Sequence, residues 1–246
     1  MNRLRGVVKS VIPTRLRPFL RAVHCDFVFR RAIKKFRKDP HGCAHPGNPV
    51  LLDLIYGWGN ESWSALDEYL AECIHNALGA SGPILECGSG LSTILIGTIA
   101  KRRGQRHWAL EHMPEWARKT QRYLSRYNLD SVVLCISPLK DYGSFCWYDP
   151  PVESMPDSFS LVICDGPPGK TRGGRYGVVP VMKERLKPGC VILLDDTGRE
   201  EERKLASRWE TELGAFLQVR GSEKAYIKMT VMDASLGNAT HIQVTL

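Results

Sequence analysis

The chain has 246 residues, of which 43% are hydrophobic and 24% are charged, a composition typical of a soluble globular protein with a full core. The length fits one large domain or a domain with an appendage, and no apolar run approaches the ~18–20 residues that a transmembrane helix needs. The eight cysteines form no C-x-x-C pair, so we expect reduced thiols in a cytoplasmic protein rather than a disulfide framework.

The net charge of +8 is concentrated near the start of the sequence. Residues 1–40 hold twelve Lys and Arg against Asp26 and Asp39, which is a net +10, whereas the remainder has 22 basic and 24 acidic residues, which is −2. Apolar residues recur among these charges at roughly helical spacing. They are Leu16, Leu20, Val23, Phe27, Ile33 and Phe36. We therefore predict a basic amphipathic N-terminal arm or cap over residues 1–48.

Three interpretations of this arm stay open. It is a helical cap that packs on the rest of the domain or on a second subunit of a homodimer, a helix peripheral to an anionic membrane surface, or a mitochondrial transit peptide. Nucleic acid is not a favoured partner, because aromatic residues are not interleaved with the charges as a single-strand platform requires.

After the arm, residues 51–80 have a helical pattern that places Leu66, Leu70, Cys73 and Ile74 on one face, and we expect them to cover a ligand cleft. From Gly82 onward, strand patterns alternate with helical ones. The predicted strands are Ile84–Glu86, His107–Glu111, Val132–Ile136, Phe159–Asp165 and Val191–Asp195. The helices between them are Ser92–Lys101, Glu115–Tyr127 and Val178–Leu186. Such alternation builds a parallel sheet with helices on both faces.

The end of the sequence has a different pattern. A charged helix is predicted over Glu200–Leu213, and two β-like segments follow at Ala225–Met232 and His241–Thr245. We expect these two segments to form an antiparallel hairpin at the edge of the sheet.

The turn after the first predicted strand is rich in glycine, with the sequence Glu-Cys-Gly-Ser-Gly over residues 86–90. Glycines let a backbone approach a ligand closely, and the helix that follows offers unpaired N–H groups. Glu111 lies about 20 residues further on, where nucleotide folds place the carboxylate that binds ribose hydroxyls. A dinucleotide site should have glycine or alanine at position 93, which is threonine, and Glu86 would repel a pyrophosphate. The pattern therefore favours S-adenosylmethionine, which has no phosphate, over NAD.

Acidic residues collect at the ends of the predicted strands. Four of the five strands end in Glu86, Glu111, Asp165 or Asp195, and Asp196 follows the last of these. Burying carboxylates costs free energy unless they are paired or bind something, and ligands of open α/β sheets bind at this edge. The acids therefore indicate a functional site.

These motifs resemble those of class I S-adenosylmethionine-dependent methyltransferases over roughly residues 50–246. The matching segments are Leu-Glu-Cys-Gly-Ser-Gly (85–90), Glu111, Asp-Gly-Pro-Pro-Gly (165–169) and Leu-Leu-Asp-Asp (193–196). The resemblance implies an α/β fold with a Rossmann-like seven-stranded sheet, helices on both faces and an antiparallel last strand. It makes residues 49–246 the methyltransferase domain, with the N-terminal helical arm before it.

The resemblance also implies how the cofactor binds. In this family the glycine loop passes under the methionine part, the acid after the second strand binds the ribose, and the segment after the third strand lines the adenine. The implied cofactor-binding residues are Asn60, Glu86, Gly88, Ser89, Gly90, Ser92, Thr93, Glu111, His112, Ser137, Pro138, Leu139 and Asp165.

A narrower resemblance concerns a metal. Catechol-type and antibiotic-sugar O-methyltransferases bind a divalent cation, usually Mg²⁺, with one acid after strand four and a pair after strand five. The matching residues are Asp165, Asp195 and Asp196, and carboxylates suit this ion. The alternative is that Asp165 holds the cofactor ammonium while Asp195 or Asp196 caps the next helix.

The sequence departs from that family at the general base, because glycines and prolines follow Asp165 and the first lysine is Lys170. Asp165 and Lys170 are thus the predicted catalytic residues. The glycine-rich loop that follows contains Arg175 and Tyr176, which we predict to bind substrate together with Arg199.

The predicted function is the S-adenosylmethionine-dependent methylation of a hydroxyl on a small molecule, a sugar or a phenolic, assisted by Mg²⁺. Three alternatives stay open: an NAD-binding oxidoreductase, a methyltransferase for RNA or protein at a membrane surface, and a non-catalytic membrane-surface module.

Overall fold

The computed structural model of the protein describes residue 13 and residues 16–59 and 65–233. The helices of this part are α1 (Arg17–Lys38), α2 (Pro49–Trp58), α3 (Asp67–Gly79), α4 (Leu91–Arg103), α5 (Pro114–Arg126), α6 (Val178–Met182) and α7 (Glu200–Leu213). The strands are β1 (Ile84–Cys87), β2 (His107–Glu111), β3 (Val132–Ile136), β4 (Leu139–Asp141), β5 (Cys146–Tyr148), β6 (Leu161–Cys164), β7 (Val191–Leu194), β8 (Ala215–Arg220) and β9 (Tyr226–Val231). Asn60 and the predicted strand His241–Thr245 lie outside the described residues.

Seven strands form one sheet in the order β3-β2-β1-β6-β7-β9-β8. The first five of these run parallel, and β9 runs antiparallel to both of its neighbours. Strands β4 and β5 form a separate antiparallel pair. This arrangement confirms the predicted Rossmann-like seven-stranded sheet and places the carboxyl ends of the five parallel strands at one edge.

The central strands are nearly continuous apolar runs, because both faces of the sheet are covered. Every residue of β1 and β6 is buried, and only Glu86 interrupts the apolar sequence of β1. One face packs against α1 to α4 and part of α5, and the other packs against α6, α7 and the β4–β5 pair. The core thus lies in two layers on either side of the sheet.

Two element predictions were wrong. Residues 51–80 are not one helix, because α2 ends at Trp58, before Gly59 with its φ of 71°, and α3 begins at Asp67. The edge hairpin pairs β8 with β9, so the strand before the predicted Ala225–Met232 segment was missed. Only Gly214 separates α7 from β8, and Phe216 is 56% exposed and Val219 65% exposed, so no buried alternation marks the strand.

Helix α1 is docked on the domain by one face. Phe29, Ala32, Ile33 and Phe36 are at most 2% exposed and belong to the same apolar cluster as α2 and α3. No helix in the described ranges combines the length and the hydropathy that a membrane crossing requires.

Candidate functional site

The glycine loop between β1 and α4 passes close to the end of β6. Gly88 adopts φ 97°, and a Cβ atom there would lie 3.3 Å from the amide nitrogen of Gly166. The Gly166 N–H donates to the Cys87 carbonyl at 2.7 Å, which fixes the two chain segments together. Glycine is therefore required at position 88 both by conformation and by space.

The start of α4 is capped by a side chain rather than by a third glycine. The Gly90 N–H donates to Oγ1 of Thr93 at 2.8 Å, and Thr93 is fully buried. A Cβ atom on Gly90 would meet nothing within 4 Å. The loop thus has open space above it, which is what a bound cofactor needs.

Glu111, at the end of β2, is the hydrogen-bond acceptor of this loop. Oε2 accepts from the Ser89 N–H at 3.1 Å and from the Ser89 hydroxyl at 2.9 Å, while Oε1 accepts from the Met113 N–H at 2.9 Å and lies 3.3 Å from Nδ1 of His112. Burial acts to raise the pKa of Glu111, but the donors from His112, Met113 and Ser89 outweigh it and lower the pKa overall. The carboxylate is therefore ionised at neutral pH and set to accept further hydroxyl donors.

Glu86 lies beneath the loop, with 1% of the residue exposed. The Ser92 hydroxyl donates to its Oε1 at 2.5 Å, and Nε2 of the buried His107 lies 3.0 Å from its Oε2. The two predicted cofactor residues Glu86 and Ser92 are thus partners of each other. Glu86 would therefore affect a bound ligand mainly by holding the glycine loop and helix α4 in place.

The segment after β3 forms one side of the same cleft. The Ser137 N–H donates to the Glu111 carbonyl at 2.8 Å, and Pro138 and Leu139 follow it, with Leu139 37% exposed. The His112 ring lies 5.9 Å from the ring of Tyr148. These residues, predicted to line an adenine, are therefore adjacent to the carboxylate predicted to bind the ribose.

Tyr148 was not found from the sequence, since the short strand β5 carries no recognisable pattern. Its hydroxyl would lie 2.3 Å from a Cβ atom on Gly166, and it has no hydrogen-bond partner among the described residues. The tyrosine thus fills the floor of the cleft beside the glycine loop and explains why position 166 must be glycine.

Three acids meet at the carboxyl ends of β6 and β7. One carboxylate oxygen each from Asp165, Asp195 and Asp196 lies within 4.8 Å of the others. Asp196 adopts φ 62°, which is uncommon for a residue other than glycine. Residues in such backbone conformations cluster at active sites and ligand-binding sites. The sequence prediction that these acids converge is met by the geometry.

Two cations of the chain already bind this cluster. Nη2 of Arg175 lies 3.1 Å from both Asp165 and Asp196, and its two terminal nitrogens also donate to the carbonyls of Asp195 at 2.6 Å and Asp165 at 2.7 Å. Nζ of Lys224 lies 2.9 Å from Asp195 and 2.7 Å from Asp196. The Arg175 side chain is 2% exposed, so its guanidinium contacts the acid cluster rather than solvent.

The charged side chains of the cluster shift one another's pKa values. Desolvation raises the pKa of Asp165 to about 7, although the neighbouring Arg175 opposes the shift. Burial would lower the pKa of Lys224, but Asp195 and Asp196 raise it overall, and the ammonium stays charged. Asp165 keeps 38% of its side chain exposed. It is thus the most solvent-exposed acid of the cluster.

The three predicted substrate-binding residues occupy different positions around the acid cluster. Arg175 is buried in the acid cluster, and the hydroxyl of Tyr176 donates to Glu212 at 3.0 Å while its ring lies under the Arg208 guanidinium at 3.8 Å. Arg199 lies 3.4 Å from Asp196 and is 55% exposed. The predicted base Lys170 is exposed on a surface turn.

Glu202 and Lys224 were missed by sequence reasoning. Glu202 lies 3.7 Å from Arg175 and is 3% exposed, although it follows a run of exposed acids at the start of α7. Lys224 lies in the turn between β8 and β9, and the first of these strands was not predicted. The position of Lys224 at the end of β7 could have been predicted only if the β8–β9 hairpin had been predicted correctly.

Comparisons with known proteins agree with this geometry. Residues 85–197, which carry the glycine loop and all three acids, match a family described as "Methyltransferase domain". No curated protein matches the chain.

Solved structures share the fold. The precorrin-6y C5,15-methyltransferase of Geobacter metallireducens has 17% identity and a TM-score of 0.52, covering 70% of this chain and 92% of that one. The Podospora anserina methyltransferase PaMTH1, solved with S-adenosylhomocysteine, has 14% identity and a TM-score of 0.52, covering 91% and 99%. A SAM-dependent O-methyltransferase of Thermotoga maritima has 13% identity and a TM-score of 0.52, covering 76% and 72%.

The predicted resemblance to class I S-adenosylmethionine-dependent methyltransferases is therefore confirmed. The match over residues 85–197 supports a methyltransferase and gives no support to the NAD-binding oxidoreductase.

Proposed function

We propose that this S-adenosylmethionine-dependent methyltransferase transfers the methyl group to a hydroxyl oxygen of a small molecule, a sugar or a phenolic. The observation that carries the proposal is the position of Asp165: a partly exposed carboxylate just after β6, close to the glycine loop and held at 3.1 Å by Arg175. Desolvation, opposed by Arg175, raises the pKa of this carboxyl to about 7. A base of this pKa is well matched to taking a proton from a hydroxyl at neutral pH. The similar fold of an O-methyltransferase from Thermotoga maritima lends further support.

In the proposed complex Gly88 and Gly90 would hold the methionine part of the cofactor. Glu111 would accept from the ribose hydroxyls, and the segment that begins at Ser137 would line the adenine. The ionised Glu111 is suited to this role because two hydroxyl donors to a charged acceptor form stronger hydrogen bonds than neutral pairs.

S-adenosylmethionine, when bound, would supply the methyl group to the substrate oxygen and would leave as S-adenosylhomocysteine, with the electron pair of the broken carbon–sulfur bond on sulfur. Asp165 would accept the proton that the hydroxyl loses. Arg175 holds this carboxylate by a 3.1 Å ion pair and so acts as a positioning residue. Lys170, the other predicted base, is exposed on a turn and has no assigned part in the step.

A divalent cation would take its ligands from Asp165, Asp195 and Asp196, and the donor set alone suits Mg²⁺. The surroundings of these carboxylates do not suit a metal ion, because Lys224 and Arg175 already donate to oxygens of all three at 2.7–3.1 Å. A metal would have to displace the ammonium of Lys224 from Asp195, whose side chain is 1% exposed, and would place a second positive charge beside the guanidinium of Arg175. We therefore assign the positive charge of this site to Lys224 and Arg175.

The first test is titration calorimetry of the purified protein with S-adenosylmethionine, with NAD⁺ as the control ligand. We expect selective binding of S-adenosylmethionine. Binding of NAD⁺ alone, or of neither ligand, would overturn the cofactor assignment.

The second test identifies the atom that is methylated. The enzyme is incubated with S-adenosylmethionine carrying a ¹³C methyl group and a panel of sugars and phenolics, and product methyls are assigned by NMR as attached to oxygen, nitrogen or carbon. We expect an oxygen-bound methyl, and Asp165→Asn should keep cofactor binding while turnover falls by about a hundredfold or more. A nitrogen- or carbon-bound methyl, or full turnover by Asp165→Asn, would contradict the proposal.

A further inference from the structure

Helix α1 has a second face, opposite the one that docks it on the domain. Leu16 precedes the helix, and Phe19, Leu20, Val23 and Phe27 follow at the spacing that puts all five side chains on one side. Their exposed fractions are 51%, 65%, 43%, 53% and 62% in that order. Scattered single apolar residues are normal on a protein surface, whereas a contiguous stripe marks an interaction site. We refer to these five residues as the apolar stripe.

The residues on this outward face change from apolar to basic along the helix. After Phe27 the same spacing continues through exposed cations, which are Arg30, Arg31, Lys34, Arg37 and Lys38. The apolar stripe and this basic block thus occupy successive halves of one outward surface. The inward face is fixed by Phe29 and Phe36, both fully buried, so the outward direction of this surface is fixed as well.

We propose that this face of α1 binds the surface of a membrane that contains anionic lipids. The apolar stripe would enter the boundary between headgroups and acyl chains, and the basic block would lie against the lipid phosphates and carboxylates. Large apolar side chains with cations on one helix face are the features that bind helices at such an interface. The inference does not depend on the proposed methyl acceptor.

A second copy of the chain is a poorer occupant of this face. If two α1 helices packed parallel, the two basic blocks would face each other and repel. If they packed antiparallel, each basic block would lie on the other helix's apolar stripe, which removes cations from water without a counter-charge. Only an occupant that is apolar beside the stripe and negative beside the block complements both halves, and an anionic bilayer surface has both properties.

Vesicle flotation of the full chain tests the inference. The vesicles are phosphatidylcholine alone, or phosphatidylcholine with phosphatidylserine, at low and high salt. We expect binding to the serine-containing vesicles only, weakened by salt because the Debye length shortens. The double variant Phe19→Ser with Phe27→Ser should bind at least about tenfold more weakly, since two large side chains lose their burial in the interface. Neither residue belongs to the core, so the variant should keep its fold and its binding of S-adenosylmethionine.

Matched controls come from the edge strand β8 and from the segment between α6 and β7. Phe216→Ser with Val219→Ser removes two apolar side chains of similar exposure from β8, and Lys183→Glu with Lys187→Glu reverses two exposed cations near α6. These variants should bind vesicles as the natural chain does, whereas Lys34→Glu with Arg37→Glu should not bind.

Several outcomes would overturn the inference. They are no vesicle binding by the natural chain, equal loss in the β8 variant, or unchanged binding by the double phenylalanine variant. A natural chain that elutes as a dimer, does not bind vesicles and becomes monomeric in the double phenylalanine variant would show a subunit contact instead.

Discussion

Nζ of Lys224 lies 2.9 Å from Oδ2 of Asp195, whose side chain is 1% exposed. The lysine belongs to the turn between β8 and β9, and the aspartate follows β7, so the antiparallel edge of the sheet supplies a counter-charge to its parallel part. Breaking a buried ion pair by removing one partner is costly, because it leaves the other charge without compensation. The pair therefore bears on both the stability and the metal dependence of the site.

We predict that Lys224→Met lowers the free energy of unfolding by about 1–3 kcal/mol, a range set by the cost of an unpaired buried acceptor and reduced because the lysine is one third exposed. Urea denaturation measures it. The variant should also gain a dependence of its melting temperature on Mg²⁺, since Asp195 and Asp196 then lose the ammonium of Lys224, while the natural chain shows none and keeps its activity in EDTA.

The matched control for that variant is Lys228→Met, which removes a lysine of β9 that pairs with Glu72 at 3.0 Å, away from the acid cluster. It should show no response to Mg²⁺. A natural chain that is stabilised by Mg²⁺ and inactivated by EDTA would restore the divalent-metal hypothesis.

A second prediction concerns Gly90. A Cβ atom there meets nothing within 4 Å, and φ is 178°, which any residue adopts, so Gly90→Ala should change the free energy of unfolding by less than about 0.5 kcal/mol. The added methyl group would nevertheless occupy the space above the loop. We expect the dissociation constant for S-adenosylmethionine to rise by about tenfold or more, from the loss of close backbone approach.

The control is Gly79→Ala at the end of α3, where a Cβ atom also meets nothing within 4 Å. It should leave cofactor affinity unchanged in calorimetry. Equal affinities for Gly90→Ala and the natural chain would show that the cofactor does not lie over this loop.

The sequence predicted the parallel strands well because each is an apolar run, and four of the five are closed by an acid. His107–Glu111 and Val132–Ile136 were predicted with the bounds that the structure has. The site was predicted where strand order alone determines proximity, as for Asp165 and Asp195. It was not predicted where a side chain reaches across the fold.

Arg175 shows the limit most clearly. In the sequence it lies in a loop rich in glycine and cations, which is typical of a mobile substrate contact. In the structure it donates to four oxygen atoms at the cluster, two of them backbone carbonyls. Carbonyl partners carry no sequence signal, so burial of this arginine could not be inferred. The boundary predicted between residues 48 and 49 stays a prediction.

A third prediction concerns Glu111→Gln. The amide keeps one acceptor for the ribose but loses the charge, so affinity for S-adenosylmethionine should fall by roughly tenfold or more, which is the effect of losing a hydrogen bond to a charged group. Glu115→Gln, an exposed acid in the first turn of α5, is the matched control and should bind as the natural chain does. Calorimetry measures both. Unchanged affinity in Glu111→Gln would remove the ribose assignment.

The free energy of unfolding of Glu111→Gln should also depend on pH differently from that of the natural chain. The pKa of Glu111 is lowered from its ordinary value of 4.5 in the folded state, so the stability that it contributes is fully present above that value. It is lost as pH falls through the lower, folded pKa. Urea denaturation between neutral and acid pH should therefore show a smaller decline below pH 4.5 for Glu111→Gln than for the natural chain. Parallel curves would contradict the shift.

The last prediction tests whether α1 is part of the domain's core. Phe29 is fully buried, with ring centroids at 5.0 Å from Tyr123, 5.9 Å from Tyr127 and 6.2 Å from Trp58. Phe29→Ala should lower the free energy of unfolding by about 3–5 kcal/mol, since it removes an aromatic ring from a packed cluster.

Phe27, two residues earlier on the same helix, provides the comparison because it is 62% exposed. Phe27→Ala should change stability by less than about 0.5 kcal/mol, as surface substitutions do. The two variants share helix, residue type and replacement, so the difference between them measures docking of α1 alone. Equal effects in thermal or urea denaturation would mean that the helix does not pack on the domain, and then its outward face would have no fixed direction to present to a membrane.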